Sequence, residues 1–170
     1  SNQLLLHTGL PEEHPLHLDA GQADRIYASV PAIEGAAAQL STLGVPLSLE
    51  HNDLHPNNAF IPGSSTDPLR FFDFGDSYWA HPFSSLYVPL GAMTEAWETT
   101  PDDARIRRVL TAYLERWSGY APLPQLREAL EPALQLGRLN RSASWLRLLI
   151  HADDGAMLEY GPHALRYLAT

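Results

Sequence analysis

Seven consecutive residues, Pro62-Gly63-Ser64-Ser65-Thr66-Asp67-Pro68, restrict this chain more than any others. Prolines at both ends, a glycine and four short polar side chains favour turn backbone at every step, so the chain must reverse here. The flanking residues, Ala59-Phe60-Ile61 before and Leu69 to Phe72 after, are apolar and aromatic, which suits extended structure. A hairpin is therefore predicted. Its open end carries two polar segments, His51 to Asn58 on the way in and Asp73-Phe74-Gly75-Asp76 on the way out, and a hairpin brings both to one side. Leu47 and Leu49 alternate around Ser48 to predict a short strand ahead of the first polar segment.

Around this centre the text is helical. Ala20 to Leu43 repeats apolar residues at Ile26, Tyr27, Val30, Ile33, Ala37 and Leu40, with Gly44 as a stop and Pro31 as a bend or break. Phe83 to Trp97 is an apolar stretch containing Pro89. Thr100 reads as the cap of a helix opening with Pro101-Asp102-Asp103 and running to about Trp117, its buried face formed by Ile106, Val109, Leu110, Tyr113 and Trp117. Pro124 to Leu136 and Arg138 to His151 follow, interrupted at Gly137, and Pro162 to Leu168 forms a short last helix. The expectation is one mostly α (α+β) domain over residues 1–170.

Composition removes whole classes of function. The 170 residues are 45% hydrophobic and 18% charged, a balance that buries a core and excludes disorder. Net charge is −9, with no basic stripe to neutralise phosphates, so nucleic acid is not an expected partner. No apolar run approaches the roughly 20 residues that span a bilayer, so no membrane partner is expected and the default location is cytoplasmic. Without cysteine there is no disulfide, thiol nucleophile or sulfur-ligated zinc. All 11 basic residues are arginine.

The polar segments carry the chemistry. His51-Asn52-Asp53-Leu54-His55-Pro56-Asn57-Asn58 matches the protein-kinase catalytic loop, H-R-D-L-x-x-x-N, at His, Asp, Leu and the final Asn. Asp73-Phe74-Gly75 supplies the second half of that signature after one strand, one turn and one strand. A phosphoryl group in transfer spreads negative charge over its oxygens, so hard oxygen ligands must hold Mg²⁺ while a carboxylate orients the attacking hydroxyl. Asp53, Asn58 and Asp73 are groups of that kind. Each pattern alone is common by chance; their order, spacing and hairpin context are not.

The combination His-x-Asp-Leu-His-Pro-x-Asn with a downstream Asp-Phe-Gly-Asp resembles the aminoglycoside phosphotransferase and choline kinase-like family, most clearly over Leu43 to Leu86. The resemblance implies the helical C-terminal lobe of a protein-kinase-like fold, ATP and Mg²⁺ as cofactors, and transfer of the γ-phosphoryl group to a hydroxyl of a small acceptor, with amine-bearing sugars and alcohols among the candidates. It implies Asp53 as catalytic base, Asn58 and Asp73 as cofactor and metal ligands, His55 as a catalytic-loop neighbour that orders the loop, and His51 as a brace. Asp76 matches a frequent acidic position of the family. Many members place an aspartate before the leucine that follows; His81-Pro82-Phe83-Ser84-Ser85-Leu86 has serine instead.

A complete enzyme of this type also grips the α- and β-phosphates with a lysine and a glycine-rich loop. This sequence has no lysine and no G-x-G among its eleven glycines. The expectation is that a nucleotide lobe lies outside these residues, and that they alone bind ATP poorly. Two other readings stay open. His51, Asp53 and His55, with His81 as a further imidazole, can be written as the ligands of a metal-dependent hydrolase; and a lobe without its partner can serve as a non-catalytic binding module. Trp97, Tyr113, Trp117 and Trp145 fall at helical spacing and are expected in the core, whereas Tyr78 and Trp79 are expected near the cleft. His7, His14, His17, His151 and His163 are read as structural or surface groups, and the acidic cluster Glu95, Glu98, Asp102 and Asp103 as a helix start or an attractor of a cationic acceptor.

Overall fold

The computed structural model describes residues 9–149 and 151–166. Among them, two compact units are built, one from Ala36–Gly137 and the other from the segments that flank it. The expected histidine at position 7 and the end of the expected last helix at Leu168 lie outside the described residues. No helix among the described residues is long and apolar enough to cross a membrane.

Helix α1 (Ala20–Ser41) begins with a capping box that the apolar pattern alone does not announce. The Gln22 amide donates to Asp19 Oδ1 at 2.7 Å, and the Asp19 amide donates to Gln22 Oε1 at 3.0 Å. Pro31 neither ends nor divides the helix. It forfeits a single backbone bond, and the turns on either side each bury an apolar residue, Ile26 before it and Leu40 after it. Gly44 then takes a left-handed backbone, φ +67°, and the helix stops as its position suggested.

Four short strands follow, β1 (Ser48–Glu50), β2 (Ala59–Phe60), β3 (Arg70–Phe71) and β4 (Tyr78–Ala80). The predicted hairpin is β2 against β3, with Ala59 opposite Phe71 and Phe60 opposite Arg70. An outer antiparallel pair, β1 with β4, encloses it, with Leu49 opposite Trp79 and Glu50 opposite Tyr78. Strand β4 was not expected from the sequence, since Tyr78-Trp79-Ala80 lacks an alternating pattern long enough to identify it. The nesting has a direct result: the two connections between the inner and outer pairs are the two polar segments.

The core of Ala36–Gly137 forms behind these strands. Phe83 is fully buried, in a 3-10 turn spanning Pro82–Leu86, and meets Tyr113 and Trp117 edge-on with ring centroids 5.8 and 5.9 Å away. Leu86, Leu114, Leu126 and Ala133 complete it, drawing on α2 (Tyr87–Ala96), α3 (Ala104–Glu115), α4 (Leu123–Glu128) and α5 (Leu130–Leu149) for the surrounding packing. Two sequence expectations change here. Helix α3 is capped by Asp103, whose Oδ1 accepts the Arg105 amide at 2.7 Å. Residues 100–103 form a turn, with the Asp103 amide donating to the Thr100 carbonyl, so the helix starts at Ala104. Val109, expected on the buried face, lies outward at 41% exposed, and Leu114 is buried in its place.

The break expected at Gly137 lies at Ala129, between α4 and α5. Gly137 is inside α5 for a different reason: a Cβ there would run into the Ser84 carbonyl oxygen and come within 2.9 Å of the Tyr87 Cβ. Its missing side chain permits close backbone approach.

In the other unit, Leu16, Leu18, Ile26, Leu149, Ala164 and Leu165 are buried together. Helix α6 (Asp154–Arg166) starts well before Pro162, which it contains. Trp145 stacks on Tyr160 and His163 with centroids 5.7 and 5.6 Å apart, a core position as expected. His17 donates from Nδ1 to the Leu10 carbonyl, and His14 Nδ1 accepts the Leu16 amide, both structural roles.

Candidate active site

The segment from His51 to Asn58 folds on itself through one buried amide. Asn58 is 7% exposed, at the end of a 3-10 turn over Pro56–Asn58 that Pro56 starts. Its Nδ2 donates to the Asp53 carbonyl at 2.9 Å, and lies 3.2 Å from His55 Nε2 and 3.4 Å from Asp53 Oδ2. A backbone carbonyl can only accept, so this partner fixes which end of the amide is nitrogen. Oδ1, the end able to bind a cation, is the end not used in closing the loop. His55 Nε2 also lies 3.6 Å from Asp53 Oδ2. Asp53, His55 and Asn58 are thus gathered into one cluster.

Two bonds fasten this loop to the Asp-Phe-Gly segment. The Phe72 amide donates to the Asn58 carbonyl at 3.1 Å. From the buried side, His51 Nε2 donates to the Phe72 carbonyl at 2.8 Å, and its ring rests 4.7 Å from that of Phe74. Asp73 follows directly, in a left-handed backbone conformation, φ 60° and ψ 61°, before a 3-10 turn over Phe74–Asp76. That conformation is costly for most residues and tolerated best by Gly, Asn and Asp. Asn52, beside Asp53, has φ 61° as well. Both left-handed residues flank the junction of the two segments, and both are of types that accept the strain.

Other expected participants are structural. His81 is buried, with Nδ1 accepting the Phe83 amide at 3.3 Å and its ring edge-on to Phe83. Burial lowers its pKa from 6.5 to about 4, so it is neutral around pH 7. Ser84, one residue before the serine that stands in the family's aspartate position, is 1% exposed and donates to the His81 carbonyl at 2.8 Å. Tyr78 directs its hydroxyl to Ser84 at 3.3 Å, and Trp79 lies 70% exposed on β4. Tyr113 donates to the Pro82 carbonyl, and burial, with the Glu50 carboxylate nearby, raises its pKa. The imidazole set of a hydrolase is not assembled: His51 spends Nε2 on a carbonyl, His81 is a helix-turn cap, and among the described residues no group of three or more His, Asp or Glu is disposed to hold a metal.

One feature escaped the sequence. A groove of about 350 Å³ runs beside the loop, walled by Leu54, His55, Phe71, Ala92, Met93 and Trp97 among others. Trp97, expected in the core, stands instead on the groove wall, 36% exposed, with the Arg105 guanidinium 4.9 Å from its ring centroid. Helical spacing marks the face of a helix, and this face of α2 borders a cleft as well as a core.

A polar loop and an Asp-Phe-Gly turn at the mouth of a short hairpin, backed by helices, belong to a protein-kinase-like fold. Residues 9–126 match the model of the phosphotransferase enzyme family, and the chain belongs to that family, of the aminoglycoside phosphotransferase and choline kinase-like kind. Among solved structures it is similar to a Plasmodium vivax ethanolamine kinase, with a TM-score of 0.61 at 18% identity, a likeness of fold. That match covers 99% of this chain and 46% of the other, so the chain spans less than half the length of that kinase. No curated protein matches the sequence.

Proposed function

We propose that these residues form the acceptor-side lobe of an ATP-dependent kinase that phosphorylates a hydroxyl of a small molecule. The observation that carries this reading is the joining of the two polar segments: Asn58 closes the loop on Asp53 through its amide nitrogen while its backbone carbonyl holds Phe72, the neighbour of Asp73. Membership of the phosphotransferase family supports the reaction class.

Asp53 accepts a hydrogen bond from the acceptor hydroxyl and orients its oxygen towards the γ-phosphorus, taking the proton as the new O–P bond forms and the bond from the γ-phosphorus to the β,γ-bridging oxygen breaks to leave ADP. His55, within 3.6 Å of that carboxylate, restrains its rotation. Asn58 Oδ1 and an Asp73 carboxylate oxygen are hard donors of the kind Mg²⁺ selects, and this ion uses one or two carboxylates plus phosphate oxygens, so a larger protein cluster is not required. Bound there, Mg²⁺ would offset negative charge on the β- and γ-phosphates. His51 positions the segment without touching substrate. Nothing in the 170 residues resembles a lysine or glycine-loop phosphate grip, and the account assigns that task to residues outside them.

ADP release by the intact protein over a panel of hydroxylated amines, alcohols and sugars tests the proposal. Turnover with at least one acceptor is expected, reduced about 10²–10⁴-fold by Asp53→Asn, the range for loss of a general base. Turnover that survives Asp53→Asn undiminished would reject the role given to this carboxylate.

A further inference from the structure

The groove beside the loop has properties that select the acceptor. At about 350 Å³ it suits a small ligand. His55 lines it, and His55 contacts Asp53, so a ligand lying there has its end beside the proposed base. The rest of the wall is apolar or aromatic: Leu54, Phe71, Ala92, Met93 and Trp97 all contribute, and no carboxylate does.

A cationic acceptor needs either an acidic partner or an open aromatic face. At the Trp97 end one device of each kind is already engaged by Arg105. The Arg105 guanidinium lies over the Trp97 ring at 4.9 Å. Asp103, the acidic residue in contact with that arginine, receives Arg105 Nε on Oδ1 at 3.0 Å and Arg105 Nη2 on Oδ2 at 2.8 Å, with Thr99 Oγ1 donating to Oδ2 as well. A second cation would meet a ring that has one already and a carboxylate whose charge is matched. From this we infer that the groove binds the body of a neutral acceptor, an alcohol with an aliphatic or aromatic group, and discriminates against ammonium-bearing alcohols. The inference rests on the proposed function for the identity of the ligand as an acceptor.

The test is direct binding without nucleotide. The 170-residue chain is titrated with 2-phenylethanol and with choline, as neutral and cationic probes, and read by NMR shifts of the Met93 methyl and Trp97 indole signals. Tighter binding of 2-phenylethanol is expected. Ala92→Trp, which fills the groove, should weaken it about tenfold or more, as loss of most of a small apolar contact would. Arg105→Ala, which frees both the Trp97 ring and the Asp103 carboxylate, should strengthen choline binding severalfold, and it supplies a result independent of the bulky variant. Choline binding as tightly as 2-phenylethanol to the unaltered chain, or no gain on Arg105→Ala, would overturn the inference. Because no ATP is present, absence of phosphotransfer in the intact protein would count against the kinase reading alone, and the binding comparison would still decide this one.

Discussion

Asp73 shows how a single residue type serves two demands. Its backbone is left-handed, which costs a residue with an ordinary Cβ about 1–2 kcal/mol. Aspartate bears that conformation better than most and also brings the carboxylate. Asp73→Asn should keep the fold's stability while removing the charge, whereas Asp73→Ala should unfold at lower urea, by about 1 kcal/mol relative to Asp73→Asn. Equal stability of the two variants would show that the conformation is unstrained. His81 makes a prediction in pH. Its folded pKa, about 4, lies below its ordinary 6.5, so the unfolded chain binds more protons between those values. Stability from keeping this ring neutral is complete above about pH 6.5 and is lost as pH falls towards 4. Urea midpoints measured across that window should fall with acidity, and His81→Gln should flatten the slope. At this scale the sequence was legible where short-range spacing brings side chains together, as Asp53 and Asn58 meet five positions apart within one loop. It was illegible for His81, because only the coordinates show that ring inside the core.

At the scale of elements, turn chemistry proved more informative than apolar period. The Pro62 to Pro68 reversal located the β2–β3 hairpin because its backbone preferences are local. Strand β4 depends on β1, thirty residues earlier, and three residues carry too little pattern to announce a long-range pairing. Helix ends were misjudged where two capping residues competed: Asp103 prevails over Thr100 because its carboxylate gathers the Arg105 amide, the Arg105 side chain and the Thr99 hydroxyl together. Those bonds, led by the Arg105 side chain, hold the Asp103 pKa well below the usual carboxylate range. Gly137 reads as a helix breaker from the text and acts as a contact point in the structure. Gly137→Ala, normally favourable inside a helix, should instead cost about 1–3 kcal/mol, since the new methyl meets the Ser84 backbone. A gain in urea midpoint would mean that the contact yields easily.

Over the whole molecule, composition bears on ligands through charge. A chain with no lysine and a net charge of −9 has little to offer a polyphosphate. Calorimetry of this chain with Mg-ATP should therefore give a Kd of about 1 mM or weaker, and submicromolar binding would show that a phosphate grip exists here after all. The groove was hidden from the sequence because it is made by residues from the loop, β3 and α2, whose proximity only folding establishes. We propose that Asn58 and Asp73 share one divalent cation beside Asp53. Paramagnetic broadening by substoichiometric Mn²⁺ in the amide NMR spectrum of this chain tests it most directly, since it detects weak binding without turnover. The signals of Asn58, Asp73 and Phe74 should broaden first, and Asp73→Asn should abolish the effect; broadening centred on Asp102 and Asp103 instead, and unchanged by Asp73→Asn, would overturn the shared cation site.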